Sequence, residues 1–411
     1  MRYVIIGNSA AAIGCIEGIR QVDKLSEIVV ISKEKYHTYS RPLISYYLLG
    51  KTDLDRMKYR GEAFYKENGC ECIFGKAVTK IEAEKKAVVL DDGSSLSYDK
   101  LMIATGSKPL VPKLDGIDTV PKRFGFMSLD DALELEKNLS RDSRVLIVGA
   151  GLIGMKCAEG IVDRVKQVTV LDLSDRVLSS ILDAEGAMRV SSYLERTKGI
   201  SFILGTTVRS FDKTRALLTD GRELEFDILV LAVGVRPNID LARAASIDCG
   251  KGIITDENMQ TSIEDIYAAG DCCESFDIAS SEQRVLALLP NAYRQGESAG
   301  VAMAGGKKPF DRAVPFNSIG FFDMHIVTAG VYQGEVYSEL GKDKYKKLFY
   351  SDNKLKGYII IGDISKAGIY TSLIQNAVPL SSIDFELICE SPSLMAFSKK
   401  YRSEKLGGLS V

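Results

Sequence analysis

The sequence predicts an α/β protein made of two similar parallel-sheet halves and a smaller C-terminal α+β domain. Three observations predict it. A short apolar strand, a glycine-bearing turn and a helical pattern run from Tyr3 to Arg20 and again from Arg144 to Arg164, an internal repeat of one βα unit. Strand and helix signals alternate after each start, as right-handed crossovers between parallel strands require. From Pro315 onward the strands alternate, and Lys346 to Phe349 and Tyr358 to Ile361 flank a turn at Asp352 and Asn353 like a hairpin.

Taken in order, the first unit opens with the strand Tyr3 to Ile6 and the turn Gly7-Asn8-Ser9-Ala10-Ala11-Ala12, then the strand Ile28 to Ser32 and Glu34. Hairpin strands are expected at Cys72 to Val78 and Ala87 to Leu90, with turn chemistry at Asp91, Asp92 and Gly93. Lys108 to Gly125 carries Pro109, Pro112 and Pro121 and reads as a crossing between domains, not as a regular element. The strand Val145 to Val148 then leads into Gly149-Ala150-Gly151-Leu152-Ile153-Gly154 and an expected helix from Met155 to Val162. This context is what a dinucleotide-binding GxGxxG requires: one glycine for the tight turn, one for approach of a pyrophosphate, one for helix packing. Asp172 closes the next strand, Val168 to Leu173, about 20 positions on, where an acid would bond an adenosine ribose and repel a 2′-phosphate. NADH is therefore expected over NADPH. A second crossing falls after Arg236, Pro237 and Asn238. The expected domains are 1–112 with 241–314, an inserted 113–240, and 315–411.

A chain of 411 residues exceeds the size at which one core keeps growing, so several domains are expected. Its 45% hydrophobic and 26% charged residues are ordinary for a soluble protein, and no apolar run is long enough to span a bilayer. The N-terminus runs into an apolar strand without the pattern of a secretory signal, so a cytoplasmic location is expected. A net charge of −2 gives no footprint for nucleic acid. Eight scattered cysteines, with no CxxC run, point to free thiols and no metal site. Only His37 and His325 are present, which leaves few candidates for histidine catalysis.

The ordered blocks Gly7, Tyr39-Ser40-Arg41-Pro42-Leu43, Ala104-Thr105-Gly106-Ser107-Lys108-Pro109, Gly149 to Gly154, Ala232 to Asn238 and Ile266 to Asp271 resemble the FAD-dependent pyridine nucleotide-disulfide oxidoreductase superfamily. The resemblance covers nearly the whole chain. It is nearest to the branch of NADH:rubredoxin oxidoreductases and nitrite reductase flavin modules. It implies two Rossmann-like domains, an FAD domain with an inserted NAD domain, and FAD contacts from Gly7, Ser9, Ala10, Ala12, Glu34, Arg41, Pro42, Thr105, Gly106, Asp271, Pro290 and Asn291. NAD contacts are implied for Gly149, Gly151, Ile153, Gly154, Asp172 and Gly234.

The departures from that pattern are specific. No redox cysteine lies near Pro42, Tyr46 stands where related reductases often carry a lysine, and Lys156 stands where they carry a glutamate. Cys272 and Cys273 follow Asp271 and are expected to be buried, and Cys70 and Cys72 share one face of a strand. The run Lys342, Lys344, Lys346, Lys347, Lys354 and Lys356 is either a solvated hairpin face or a dock for an acidic partner. Lys399, Lys400, Arg402 and Lys405 are expected in a mobile tail. The expected function is exchange of a hydride between NAD(H) and FAD and of single electrons with a rubredoxin- or ferredoxin-like protein, in either direction, by the flavin itself. The alternatives are a flavin NADH oxidase acting on oxygen or another small acceptor, and a non-enzymatic NADH-sensing flavoprotein. Oligomeric state is left open.

Overall fold

The computed structural model describes residues 1–342 and 344–406, the last three of these by backbone alone. The chain forms two compact units, Met1–Ser275 with Gln283–Asp311, and Phe276–Glu282 with Arg312–Val411.

Near-continuous runs of Val, Ile and Leu make the first unit's strands suited to burial on both faces. They form two five-stranded parallel sheets. The first has the order Ile266–Ala268, Lys100–Ile103, Arg2–Ile6, Glu27–Ser32, Cys70–Phe74. The second has the order Ser201–Leu204, Gln167–Asp172, Arg144–Val148, Ile228–Leu231, Arg123–Phe124. Each sheet thus centres on the strand that precedes a glycine turn. Each is accompanied by an antiparallel three-stranded sheet, residues 78–97 in one half and 208–225 in the other. The repeat seen at the two βα starts extends over both halves.

The helices of this unit are α1 (Ala10–Val22), α2 (Ile44–Leu48), α3 (Phe64–Glu67), α4 (Leu129–Asn138), α5 (Leu152–Ile161), α6 (Ala184–Lys198), α7 (Asp240–Ala244) and α8 (Leu289–Met303). The α5 helix starts at Leu152, earlier than the expected Met155, so Ile153 and Gly154 lie in its first turn.

Two expectations are corrected. Cys70–Phe74 is not half of a hairpin but the parallel edge strand beside Glu27–Ser32; the hairpin partner of Ala87–Leu90 is Val78–Glu82. A five-residue run, Cys-Glu-Cys-Ile-Phe, carries no signal that separates a parallel edge from a hairpin arm. The Asp91 to Gly93 turn joins Ala87–Leu90 to Ser95–Ser97. The crossing at Lys108 also contains a regular element, since Ser107–Pro109 pairs antiparallel with Val235–Pro237. The two crossings run side by side.

The second unit holds an antiparallel sheet with the order Phe316–Phe321, Met324–Gly330, Lys354–Ile361, Tyr345–Ser351, Glu335–Leu340. Asp352 and Asn353 have φ of 52° and 60°, the left-handed pair that a two-residue hairpin turn demands. Leu348, Tyr358 and Ile360 pack with Tyr370, Leu373 and Ile374 of the helix Ala367–Gln375. Within the lysine run, Lys344 and Lys346 pair with Glu339, and Lys356 with Asp352. Lys399, Lys400 and Arg402 lie in the helix Lys399–Leu406; the Lys405 side chain is outside the described residues.

Candidate functional site

At the first turn, Gly7 adopts φ +118°, and a Cβ there would stand 2.1 Å from the Ala104 carbonyl oxygen. Only glycine fits. Ser9 is the N-cap of α1 with no side-chain cap bond, Ala10 lies in its first turn, and Ala12 is fully buried. Close packing of α1 on α8 comes from residues that sequence reading passed over. A Cβ on Gly14 would meet Tyr293 O at 2.1 Å and one on Gly18 would meet Glu297 O at 2.4 Å; reciprocally, Gly296 faces Ala11 O at 1.9 Å and Gly300 faces Cys15 O at 2.1 Å. The signal was the repeated four-residue glycine spacing on both helices.

Downstream, polar side chains converge between the first sheet and α2. Glu34 accepts from Tyr39 Oη at 2.6 Å and pairs with Arg41. The Arg41 guanidinium also donates to Tyr39 Oη at 3.2 Å and Met127 O at 3.3 Å. Ser107 Oγ donates to Asp271 at 3.1 Å. Burial pushes the Asp271 carboxyl up from its ordinary range, against the Ser107 hydrogen bond and the Arg41 charge. Arg41 therefore acts on both acids, Glu34 at one end and Asp271 at the other. Thr105 Oγ1 donates to Asn238 O at 2.7 Å, Gly106 has φ +66° with open space where a Cβ would sit, and Pro42 is exposed. Pro290 occupies the first turn of α8 beside buried Asn291.

The second turn repeats the first. Gly149 has φ +115° and its Cβ would meet Ala232 O at 2.2 Å; a Cβ on Gly154 would meet Gly149 O at 1.9 Å. Gly151, by contrast, has nothing within 4 Å of its Cβ position, and neither has Gly234 at φ +110°. The first and third glycines serve the fold, and the second faces open space. Asp172 accepts from the backbone N–H of Ala150 at 2.6 Å and of Ser174 at 2.7 Å, so the acid grips the turn itself. Ile153 is half-buried.

Among the unit's helices of ten residues or more, N-terminal capping separates these turns from α4 and α6. Side chains cap α4, where Ser128 accepts from Asp131 N, and α6, where Asp183 accepts from Gly186 N. The α1, α5 and α8 helices carry no side-chain cap. Their first-turn N–H groups and positive dipole ends are suited to phosphate or other negative charge. Cys272 and Cys273 are fully buried and donate to the carbonyls of Ala269 and Gly270, both at 3.3 Å. Burial pushes the Cys272 thiol up to about 11 and Cys273 well above the usual thiol range, so neither supplies a thiolate at neutral pH. Among the described residues no cluster could hold a metal, and no helix is long and apolar enough to cross a membrane.

Known proteins match this arrangement. Residues 1–296 match the family described as pyridine nucleotide-disulphide oxidoreductase, and residues 315–378 match the rubredoxin NAD+ reductase C-terminal domain. The chain is 31% identical over 395 residues to the NADH-dependent phenylglyoxylate dehydrogenase subunit epsilon of Aromatoleum evansii, covering 93% of each. It is 32% identical over 375 residues to the assimilatory nitrate reductase electron transfer subunit of Bacillus subtilis, covering 88% of this chain but only 48% of that longer protein. Among solved structures, the covalent putidaredoxin reductase-putidaredoxin complex superposes with a TM-score of 0.87 at 24% identity, covering 96% of this chain and 97% of that one, a likeness of fold. With its two glycine turns on two parallel sheets and these matches, the chain belongs to the pyridine nucleotide-disulphide oxidoreductase family, in the NADH-rubredoxin oxidoreductase and nitrite reductase flavin-module branch, and is an FAD-dependent NADH oxidoreductase.

Proposed function

We propose that this chain passes electrons between NAD(H) and a small one-electron redox protein of the rubredoxin or ferredoxin type, in either direction, in the cytoplasm. One observation carries the reading: two uncapped glycine turns, each at the end of the central strand of its own parallel sheet, lie within one compact unit. The match of residues 315–378 to a rubredoxin NAD+ reductase C-terminal domain supports the partner class. Bound FAD supplies two-electron exchange with nicotinamide and one-electron exchange with a protein.

The residues fit both dinucleotides. Open space over Gly151, Gly106 and Gly234 leaves room for a backbone-hugging ligand. In this reading residues 1–112 and 241–314 hold FAD, 113–240 hold NAD(H), and 315–411 form the third domain. Gly7, Ser9, Ala10 and Ala12 present α1 to the FAD pyrophosphate, with Glu34 toward the adenosine ribose. Arg41 and Pro42 would line the FAD near its pyrophosphate and isoalloxazine, Thr105 and Gly106 would close over the FAD, and Asp271 would bond the ribityl chain. Pro290 and Asn291 bring the positive end of α8 to the flavin, where it favours negative charge on the reduced ring. Gly149, Gly151, Ile153 and Gly154 cradle the NAD pyrophosphate, Asp172 holds the turn and the ribose, and Gly234 leaves its edge open. Hydride transfer needs orientation more than acid–base groups, which suits a chain with two histidines.

An anaerobic titration with NADH, followed by mixing with rubredoxin and separately with ferredoxin, tests the reading. The flavin absorbance is expected to bleach and one of the two proteins to be reduced rapidly. Bleaching followed by rapid turnover on oxygen, with neither protein reduced, would favour a direct oxidase. Absence of bound flavin after reconstitution with FAD would sink the reading altogether.

A further inference from the structure

Lys156 and Tyr46 come from opposite halves of the first unit and meet at the seam between them. Lys156 lies two residues past the third glycine on α5, and its ammonium stands 4.2 Å from the centre of the Tyr46 ring on α2. It pairs with Glu159 one turn further on. The Lys156 side chain is 15% exposed and that of Glu159 1%. Burial drives the Lys156 ammonium below its ordinary pKa, with Glu159 opposing that shift. Lys51 approaches the same ring at 6.0 Å.

The seam around this group is tight. A Cβ on Gly160 would stand 2.9 Å from Ser45 O, Arg164 donates to Leu48 O at 3.1 Å and to Glu136 at 2.8 Å, and Tyr47 Oη donates to Glu136 at 2.9 Å. The ring and the ammonium are held in place from both sides. Removing an ammonium from water costs several kcal/mol, and an apolar side chain would fill the same space without that cost. The buried Glu159 carboxylate offsets part of that cost, and the two charges are placed at the seam as a pair.

The proposed exchange requires the reacting ends of two nucleotides to touch. Each nucleotide is assigned to the half that carries its glycine turn, so the reacting ends belong at the seam between the halves. Lys156 sits at the start of the helix that leaves the second turn, and Tyr46 lies five positions past Arg41, whose charge reaches both Glu34 and Asp271. We propose that Lys156 is a positioning residue for electron exchange: pinned against the face of Tyr46, its ammonium offsets the buried Glu159 carboxylate at the seam, whose negative charge would otherwise disfavour reduced, negatively charged flavin over the neutral oxidised form. This rests on the two-nucleotide reading above. A charge in a low-dielectric seam acts on that balance without touching either ring.

The test is the equilibrium between NADH and bound flavin, measured anaerobically against NAD+ and a reference dye in Lys156→Gln, Lys156→Met and Lys156→Arg. Both neutral variants are expected to disfavour reduced flavin by about tenfold, or ~30 mV for a two-electron couple. The arginine variant is expected to restore the wild-type value to within about twofold, because its charge persists. Neutral variants that keep their flavin and leave the equilibrium unchanged overturn the proposal. Neutral variants that lose flavin while the arginine variant keeps it overturn it too, because they assign Lys156 to assembly of the seam. If NADH fails to bleach the wild-type flavin, it is the two-nucleotide reading that has failed.

Discussion

Asp172 carries two demands at once. Its carboxylate holds the backbone of Ala150 and Ser174, and in the proposed role it also faces the ribose of NADH. Asp172→Ala is expected to lower kcat/KM for both nucleotides, since each lost turn hydrogen bond costs about 1 kcal/mol. NADPH should suffer less, raising its ratio to NADH by about tenfold as the like charge disappears. An unchanged ratio of specificity constants would place the selectivity elsewhere. Asp271 makes a different compromise. Because burial raises its folded pKa, its contribution to stability is complete below the unfolded pKa and is lost as pH rises through the folded value. Flavin-free Asp271→Asn should therefore melt higher than wild type at pH 7–8, with the gain vanishing towards pH 4, while retaining less FAD. Thermal melts across that range, beside flavin occupancy, check both halves of the prediction. At this scale the identities of both acids were readable from strand ends and motif order. Their partners were not, because Ser107 and Asp271 lie 164 positions apart and meet only in the fold.

Helices and turns divide the glycines into those the fold needs and those a ligand needs. Gly296→Ala would drive a methyl group to 1.9 Å from Ala11 O, and separating α1 from α8 should cost about 1–3 kcal/mol and lower Tm. Gly151→Ala meets nothing within 4 Å, so Tm should hold while KM for NADH rises by about tenfold or more. Equal loss of Tm in both variants, by calorimetry, would contradict this division. The GxGxxG alone marked Gly151, over which the structure leaves open space, as a proposed ligand contact. The four-residue spacing at Gly14, Gly18, Gly296 and Gly300 was equally present in the sequence, but it acquires meaning only when two helices nearly 300 positions apart are known to touch. Cys70–Phe74 was misread for a related reason: a parallel edge strand finds its partner some 40 positions away, and nothing local announces it.

At the scale of the molecule the parallel-sheet repeat, the inserted half and the change of character near Pro315 were all legible, since each rests on periodicity and punctuation in the chain. The pairing of Ser107–Pro109 with Val235–Pro237 was not, because two proline-bearing crossings look irregular until they lie side by side. The first sheet takes strands from both sides of the inserted half, so FAD is expected to tie remote segments together. Removing flavin should lower hydrogen-exchange protection in α1 and α8 together while leaving α6 unchanged; loss in α1 alone would mean that α8 lies outside the flavin site. The same feature has a consequence in time. The strand Ile266–Ala268 and the α8 helix complete a sheet whose other strands leave the ribosome by Ile103, and at roughly 5–20 residues per second the gap lasts on the order of ten to thirty seconds. For that interval the nascent chain carries an unfinished apolar sheet while the inserted half folds ahead of its host. With the proposed FAD contacts at Asp271, Pro290 and Asn291, flavin is expected to enter as the last act of maturation, and a shortage of it to be felt first by newly made chains rather than by finished ones.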